Sequence, residues 1–171
     1  RAEGAVSRAW THNHGTSLKA TPESDPTAVY ISSAEGYLRT FVAAPGGAGW
    51  LATNGADTLI RGPNGAWLWR RAEDDTSFAF TAEGKLQIQT TRNGRATFYG
   101  YDAEGRLSLI SNAFGRGLAL TYNGAGQLAT LAAPDLRVTW YTYDPQGRLA
   151  GVIYPDMKAR APPSNAPIFG P

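Results

Sequence analysis

The feature that most constrains this chain is a phrase of seven residues that returns every 21 positions in strict register. Tyr101-Asp102-Ala103-Glu104-Gly105-Arg106-Leu107 is followed by Tyr122-Asn123-Gly124-Ala125-Gly126-Gln127-Leu128 and by Tyr143-Asp144-Pro145-Gln146-Gly147-Arg148-Leu149. Upstream stands a weaker copy, Phe80-Thr81-Ala82-Glu83-Gly84-Lys85-Leu86. A fixed period of this length marks a repeat architecture in which each copy is one supersecondary unit.

Asp-x-x-Gly suits a type I turn. The carboxylate can accept from backbone amides ahead of it, and the glycine tolerates positive φ. Pro145 falls at the second corner, where its fixed φ fits. A type I turn followed by a left-handed residue is the three-residue hairpin loop with a bulge. In that register Asp102 faces Arg106 and Tyr101 faces Leu107 across two strands, and Asp144 with Arg148 repeats the charge pair. Thr81 with Lys85 and Asn123 with Gln127 dilute it. The motif residues Gly84, Leu86, Tyr101, Asp102, Gly105, Arg106, Leu107, Tyr122, Gly126, Leu128, Tyr143, Asp144, Gly147, Arg148 and Leu149 are therefore read as structural.

Half-way between these turns lies a second series, Thr91 to Gly94, Asn112 to Gly115 and Ala133 to Leu136, each followed by an arginine: Arg95, Arg116 and Arg137. The connecting segments, such as Val138 to Tyr143, are rich in β-branched and aromatic residues and too short for typical helices. Each period is thus one hairpin. The expectation is an all-β fold, a long antiparallel meander of about 14 short strands, curled into an open sheet or shell segment as long sheets twist. The spacing divides the chain into a degenerate pre-repeat meander over 1–79, repeat hairpins over 80–154 and a Pro-rich tail over 155–171, in one continuous domain. Ile168 and Phe169 are expected to anchor the tail, and uncovered outer strands to invite self-association or capping.

Composition excludes several classes. Cysteine is absent, which removes disulfides, thiolate metal sites and thiol nucleophiles. The net charge of +2 is spread as roughly one arginine per turn, without the basic stripe that nucleic acid requires. No apolar run approaches the ~20 residues of a membrane span. The chain begins at Arg1 without a start Met, which suggests a piece of something longer. His12 and His14 would share one strand face, but two ligands make an incomplete metal site. No Gly-x-Ser-x-Gly elbow or phosphate loop is present, so no catalytic residue, metal or cofactor is assigned.

Tyr-Asp-x-x-Gly-Arg-Leu at 101 and 143, with the weaker copies at 80 and 122, closely resembles the Rhs/YD-repeat proteins, and the similarity extends over roughly residues 8 to 155. The resemblance implies a β-meander wound into a hollow shell, as in bacterial polymorphic toxins, the C component of insecticidal toxin complexes and teneurins. In bacteria such a shell encloses a C-terminal toxin during secretion, so the implied partners are the remainder of the shell or its cargo, and the implied location is secreted or cell-surface. This sequence has few repeats, no recognisable toxin and no closing segment with self-cleaving aspartates. About 14 strands at ~4.8 Å make a sheet ~67 Å wide, whose bore of ~20 to 30 Å is too narrow for a folded domain. The expected role is a non-catalytic wall segment. A carbohydrate- or protein-binding module is the second reading, and a metal-dependent hydrolase or nuclease the third.

Overall fold

The computed structural model describes residues 15–155. It is all-β: fourteen strands follow one another antiparallel to their neighbours, with one three-residue 3-10 turn at Pro45–Gly47 as the helical element among the described residues. The chain divides into two compact units, Arg1–Gly117 and Leu118–Pro171. His12, His14, Ile168 and Phe169 lie outside the described residues.

In the first unit, β1 (Ser17–Thr21), β2 (Ala28–Ser32), β3 (Leu38–Ala43) and β4 (Trp50–Ala52) form a four-stranded sheet in chain order. A second sheet then starts with β5 (Thr58–Arg61), β6 (Trp67–Arg71), β7 (Thr76–Phe80), β8 (Leu86–Thr90), β9 (Ala96–Tyr101) and β10 (Leu107–Asn112), also in chain order. The ribbon is therefore not one hydrogen-bonded ladder from end to end. It breaks between β4 and β5, where Asp57 turns inward and is buried.

The alternation that sets these strands is plain at β6 and β2. Trp67 and Trp69 are buried while Leu68 and Arg70 face out, and Val29 and Ile31 are buried while Tyr30 and Ser32 face out. Period-two burial of this kind fixes register, because a slip of one residue would expose the whole apolar set. Leu18, Val29, Ile31 and Phe41 from the first sheet share one core with Leu59, Trp67, Trp69, Phe78, Phe80, Leu86, Tyr99 and Leu107 from the second. The two sheets thus pack face to face. Trp69 stacks on Phe78 at 4.4 Å, and Trp50 meets Trp67 edge-on at 5.2 Å. Aromatic pairs in these arrangements add about 0.5–1.5 kcal/mol beyond their area.

Two polar devices tie the layers together. Leu18 N donates to Gly84 O at 2.9 Å, and Ser17 pairs with Lys85, so the edge of β1 is laced to the first repeat turn. Asp57 accepts from Trp69 Nε1 at 3.1 Å and from Ala72 N at 3.0 Å. Arg39 Nε lies 3.3 Å from its second oxygen as an ion-pair contact, bringing β3 to the same carboxylate.

In the second unit β11 (Gly117–Tyr122), β12 (Leu128–Ala132), β13 (Val138–Tyr143) and β14 (Leu149–Ile153) continue the meander. Its buried set is smaller: Leu120 and Leu128 are buried, whereas Leu149, on the outermost described strand, is 49% exposed. Trp140 sits on the opposite face and is 43% exposed.

Candidate functional site

The repeated phrase closes a hairpin each time. In the first unit Gly105 N donates to Asp102 O and Asp102 N donates to Arg106 O, with Gly105 at φ 77°. Leu107 pairs with Tyr101, and the register shifts by one residue immediately afterwards. In the second unit Asp144, Gly147 and Arg148 repeat the pattern, with Tyr143 paired to Leu149. Asn123, Gly126 and Gln127 do the same, and Tyr122 pairs with Leu128. A left-handed glycine followed by a bulge twists the strands in the sense hairpins require.

The Asp side chains serve the turn itself. Asp102 Oδ1 accepts from Arg106 N and its Oδ2 from Arg106 Nε, both at 2.8 Å. Asp144 accepts from Arg148 N at 2.8 Å and Nε at 2.7 Å. Partial burial pushes the Asp102 carboxyl up, but the amide and guanidinium of Arg106 outweigh it and hold it below the ordinary range. Asp144 is held low chiefly by the Arg148 amide. Thr81 Oγ1 and Asn123 Oδ1 accept the corresponding amides of Lys85 and Gln127, which preserves the turn without the charge.

The tyrosines do more than pair across a strand. Tyr101 Oη donates to Leu86 O at 2.7 Å, and Tyr143 Oη donates to Leu128 O at 2.8 Å. Each therefore reaches back to the leucine carbonyl of the preceding copy. Lys85 Nζ donates forward to Gly105 O at 2.9 Å, and Gln127 Nε2 to Gly147 O at 2.7 Å. Within each unit the two hairpins are thus stapled in both directions by side chains of the motif. The cross-strand reading of Tyr101 and Leu107 gave no hint of this link, since its acceptor is a main-chain oxygen 15 residues away.

Burial pushes the Tyr101 phenol from 10.0 up to about 12, and burial followed by the neighbouring Tyr101 does the same for Tyr99. A raised folded-state value means stability complete below the unfolded value and lost as pH rises through the folded one. The unit should therefore lose stability between about pH 10 and about 12. Tyr101→Phe is expected to cost about 1 kcal/mol at neutral pH by orphaning the Leu86 carbonyl, and to flatten this alkaline limb in thermal melts. An unchanged limb contradicts the assignment.

The intermediate turn of the second unit carries a defect. Leu136 occupies the position held by Gly94 and Gly115 in the first unit and sits at φ 63° with 86% exposure. A left-handed conformation costs a non-glycine residue about 1–2 kcal/mol, of which glycine's extra chain entropy returns about 0.5–1. Leu136→Gly is expected to raise the melting temperature of this unit by a few degrees, read by calorimetry; a fall would show that Leu136 has a packing role.

Among the described residues no group of three or more His, Asp or Glu side chains is placed to hold a metal ion. No helix among them is long and apolar enough to cross a membrane. The polar side chains of the motif are engaged in turn closure and stapling rather than converging on an open cavity.

The family model described as RHS Repeat matches residues 122–156, and its span begins at Tyr122 and takes in the Tyr143-Asp144 copy. That span is an RHS repeat. The hairpin and staple geometry of that span recurs at 80–107, which carries the same seven-residue phrase one and two periods upstream. The chain is also similar, at 15% identity and a TM-score of 0.39, to the crystal structure of TcdB2-TccC3 without hypervariable C-terminal region. That similarity covers 79% of this chain and 10% of the other, so the chain spans about a tenth of the length of that protein. No curated protein matches it.

Proposed function

We propose that this Rhs/YD-repeat chain is a non-catalytic wall segment of a shell that encloses or presents a secreted toxin. The observation that carries the reading is the use made of the motif: Tyr101, Lys85, Tyr143 and Gln127 spend their polar atoms on the neighbouring copy. Stacked units of this kind gain stability from nearest-neighbour interfaces and extend without a defined end, which suits a wall. Its partners on this reading are the remainder of the shell or its toxin cargo, and its place is secreted or at the cell surface.

Limited proteolysis of the intact gene product containing these residues tests it. Polypeptide downstream of the repeats should survive protease in the wild type and be digested once the wall is breached by Gly84→Ala. Equal digestion in both would remove enclosure as the role.

A further inference from the structure

The two ends of the hairpins in the first unit differ in how their cations are used. In an antiparallel meander successive turns alternate between opposite edges of the sheet. On one edge, Arg61 lies 5.0 Å from the Trp67 ring, Lys85 is held by Gly105 O and the Tyr101 ring, and Arg106 is paired to Asp102 and Glu104. Every turn cation there has a partner.

On the other edge the turn after β8 presents Arg92 and Arg95, and the turn after β10 presents Arg116. All three are exposed, and none has a carboxylate partner among the described residues. The acids of this edge are committed elsewhere: Asp57 and Glu73 to Arg39, Asp74 to Arg71 and Asp75 to Arg70. The turn position that holds Asp102 on the first edge is Asn112 here; its Oδ1 still accepts from Phe114 N and Arg116 N, so the turn is kept and the compensating charge is missing. Beside Arg92 opens a cleft of about 320 Å³ lined by Ala56, Thr58, Arg70, Ala72, Asp75 and Arg92. Of its three charged lining residues, Asp75 is paired with Arg70.

We propose that this edge docks an acidic, extended segment of another polypeptide, with one carboxylate against the Arg92 and Arg95 tip at the cleft and the next against Arg116. Charge complementarity selects the occupant. The segments of this chain outside the described residues do not qualify, since 1–14 carries Arg1 and Arg8 against Glu3 and 156–171 carries Lys158 and Arg160 against Asp156. The spacing selects its form. Hairpin tips on one edge recur every second strand, about 10 Å apart, and a polyproline II segment presents every third side chain on one side about 9 Å apart. Duplex nucleic acid is disfavoured because its binding draws on many more phosphate contacts than three arginines supply. The inference does not depend on the shell reading, because it is measured on this chain by itself.

The test is fluorescence anisotropy with a labelled peptide of repeated Glu-Pro-Pro, a Gln-Pro-Pro peptide as the neutral control, and a single-stranded oligonucleotide of matched charge. Arg92→Gln/Arg95→Gln/Arg116→Gln alters exposed turn residues and should fold, which its melting curve checks. The expected result is salt-sensitive binding of the acidic peptide alone, weakened about tenfold or more in the triple variant and unchanged in Lys19→Gln, which removes an exposed cation from β1. Three results would overturn the proposal: no binding of the acidic peptide, equal weakening by Lys19→Gln, or tighter binding of the oligonucleotide, which would make the edge a general polyanion site.

Discussion

Replacing Gly84 with alanine is expected to unfold the junction between the two sheets of the first unit, at a cost of about 3–6 kcal/mol. Three effects add at one position. Gly84 sits at φ +86°, where a side chain costs about 1–2 kcal/mol. An added Cβ would stand 1.8 Å from Leu18 O and 2.8 Å from Leu18 C, both main-chain atoms with no rotamer to escape through. Relieving that overlap displaces β1 and breaks the bond from Leu18 N to Gly84 O, at about 1–3 kcal/mol for the overpacking and about 1 for the hydrogen bond. Gly94 is the control: it has nearly the same φ, +77°, with nothing within 4 Å of the added carbon. Gly94→Ala should cost only the backbone strain, about 1 kcal/mol. Denaturant melts of the two variants decide the matter, and equal losses would mean that the β1 contact contributes nothing.

The second large effect is expected at Asp57. Its side chain is 3% exposed and serves Trp69 Nε1, Ala72 N and Arg39 together. Removing one member of a buried pair leaves the other charge without a counterion, at about 3–5 kcal/mol; since the Arg39 side chain keeps 22% exposure, the lower end applies. Asp57→Ala is therefore expected to lose about 3 kcal/mol, and Asp57→Asn somewhat less, because one oxygen can still accept from either Trp69 or Ala72. Arg39→Met should recover part of the loss in the Asp57→Ala background, by removing the stranded charge. A double-mutant cycle with no coupling would refute the link between these residues.

Acid should act through a different group. The guanidinium of Arg71 bonded to Asp74 holds that carboxyl down at about 2. A depressed value means stability present above the unfolded value and lost as pH falls toward the folded one, so Asp74→Asn should make the first unit less sensitive to acid between about pH 4 and about 2. Melts that lose the same stability over that range in both proteins would contradict this.

The repeat region was legible in the sequence because its determinants are local. Asp102, Gly105 and Arg106 lie within five positions of one another, so the turn, its bulge and its charge pair follow from residue chemistry alone. The tyrosine staples were hidden because their acceptors, Leu86 O and Leu128 O, are main-chain atoms that carry no residue signature. The break between β4 and β5 was hidden for a related reason. Turn residues recur through this stretch at the same pace as elsewhere, and what ends the ladder is the inward turn of Asp57 toward partners on β3 and β6, a tertiary fact. Gly84 showed the same limit: its glycine is required twice, once by φ and once by the approach of Leu18, and only the first requirement is written locally. The arginine asymmetry was in plain sight as Asn112 against Asp102, yet it gains meaning only when alternate turns are seen to share an edge.

The central claim, that each 21-residue copy closes one hairpin and that Tyr101 and Tyr143 tie theirs to the copy before, is tested most directly by residue-resolved amide hydrogen exchange on the full chain. Slow exchange is expected in short runs matching β5 to β14, interrupted by fast turn tips at every tenth or eleventh residue, with local loosening of β8 when Tyr101 becomes Phe. A slow run passing unbroken through Asp102 to Gly105, or fast exchange throughout Phe80 to Leu149, would contradict it.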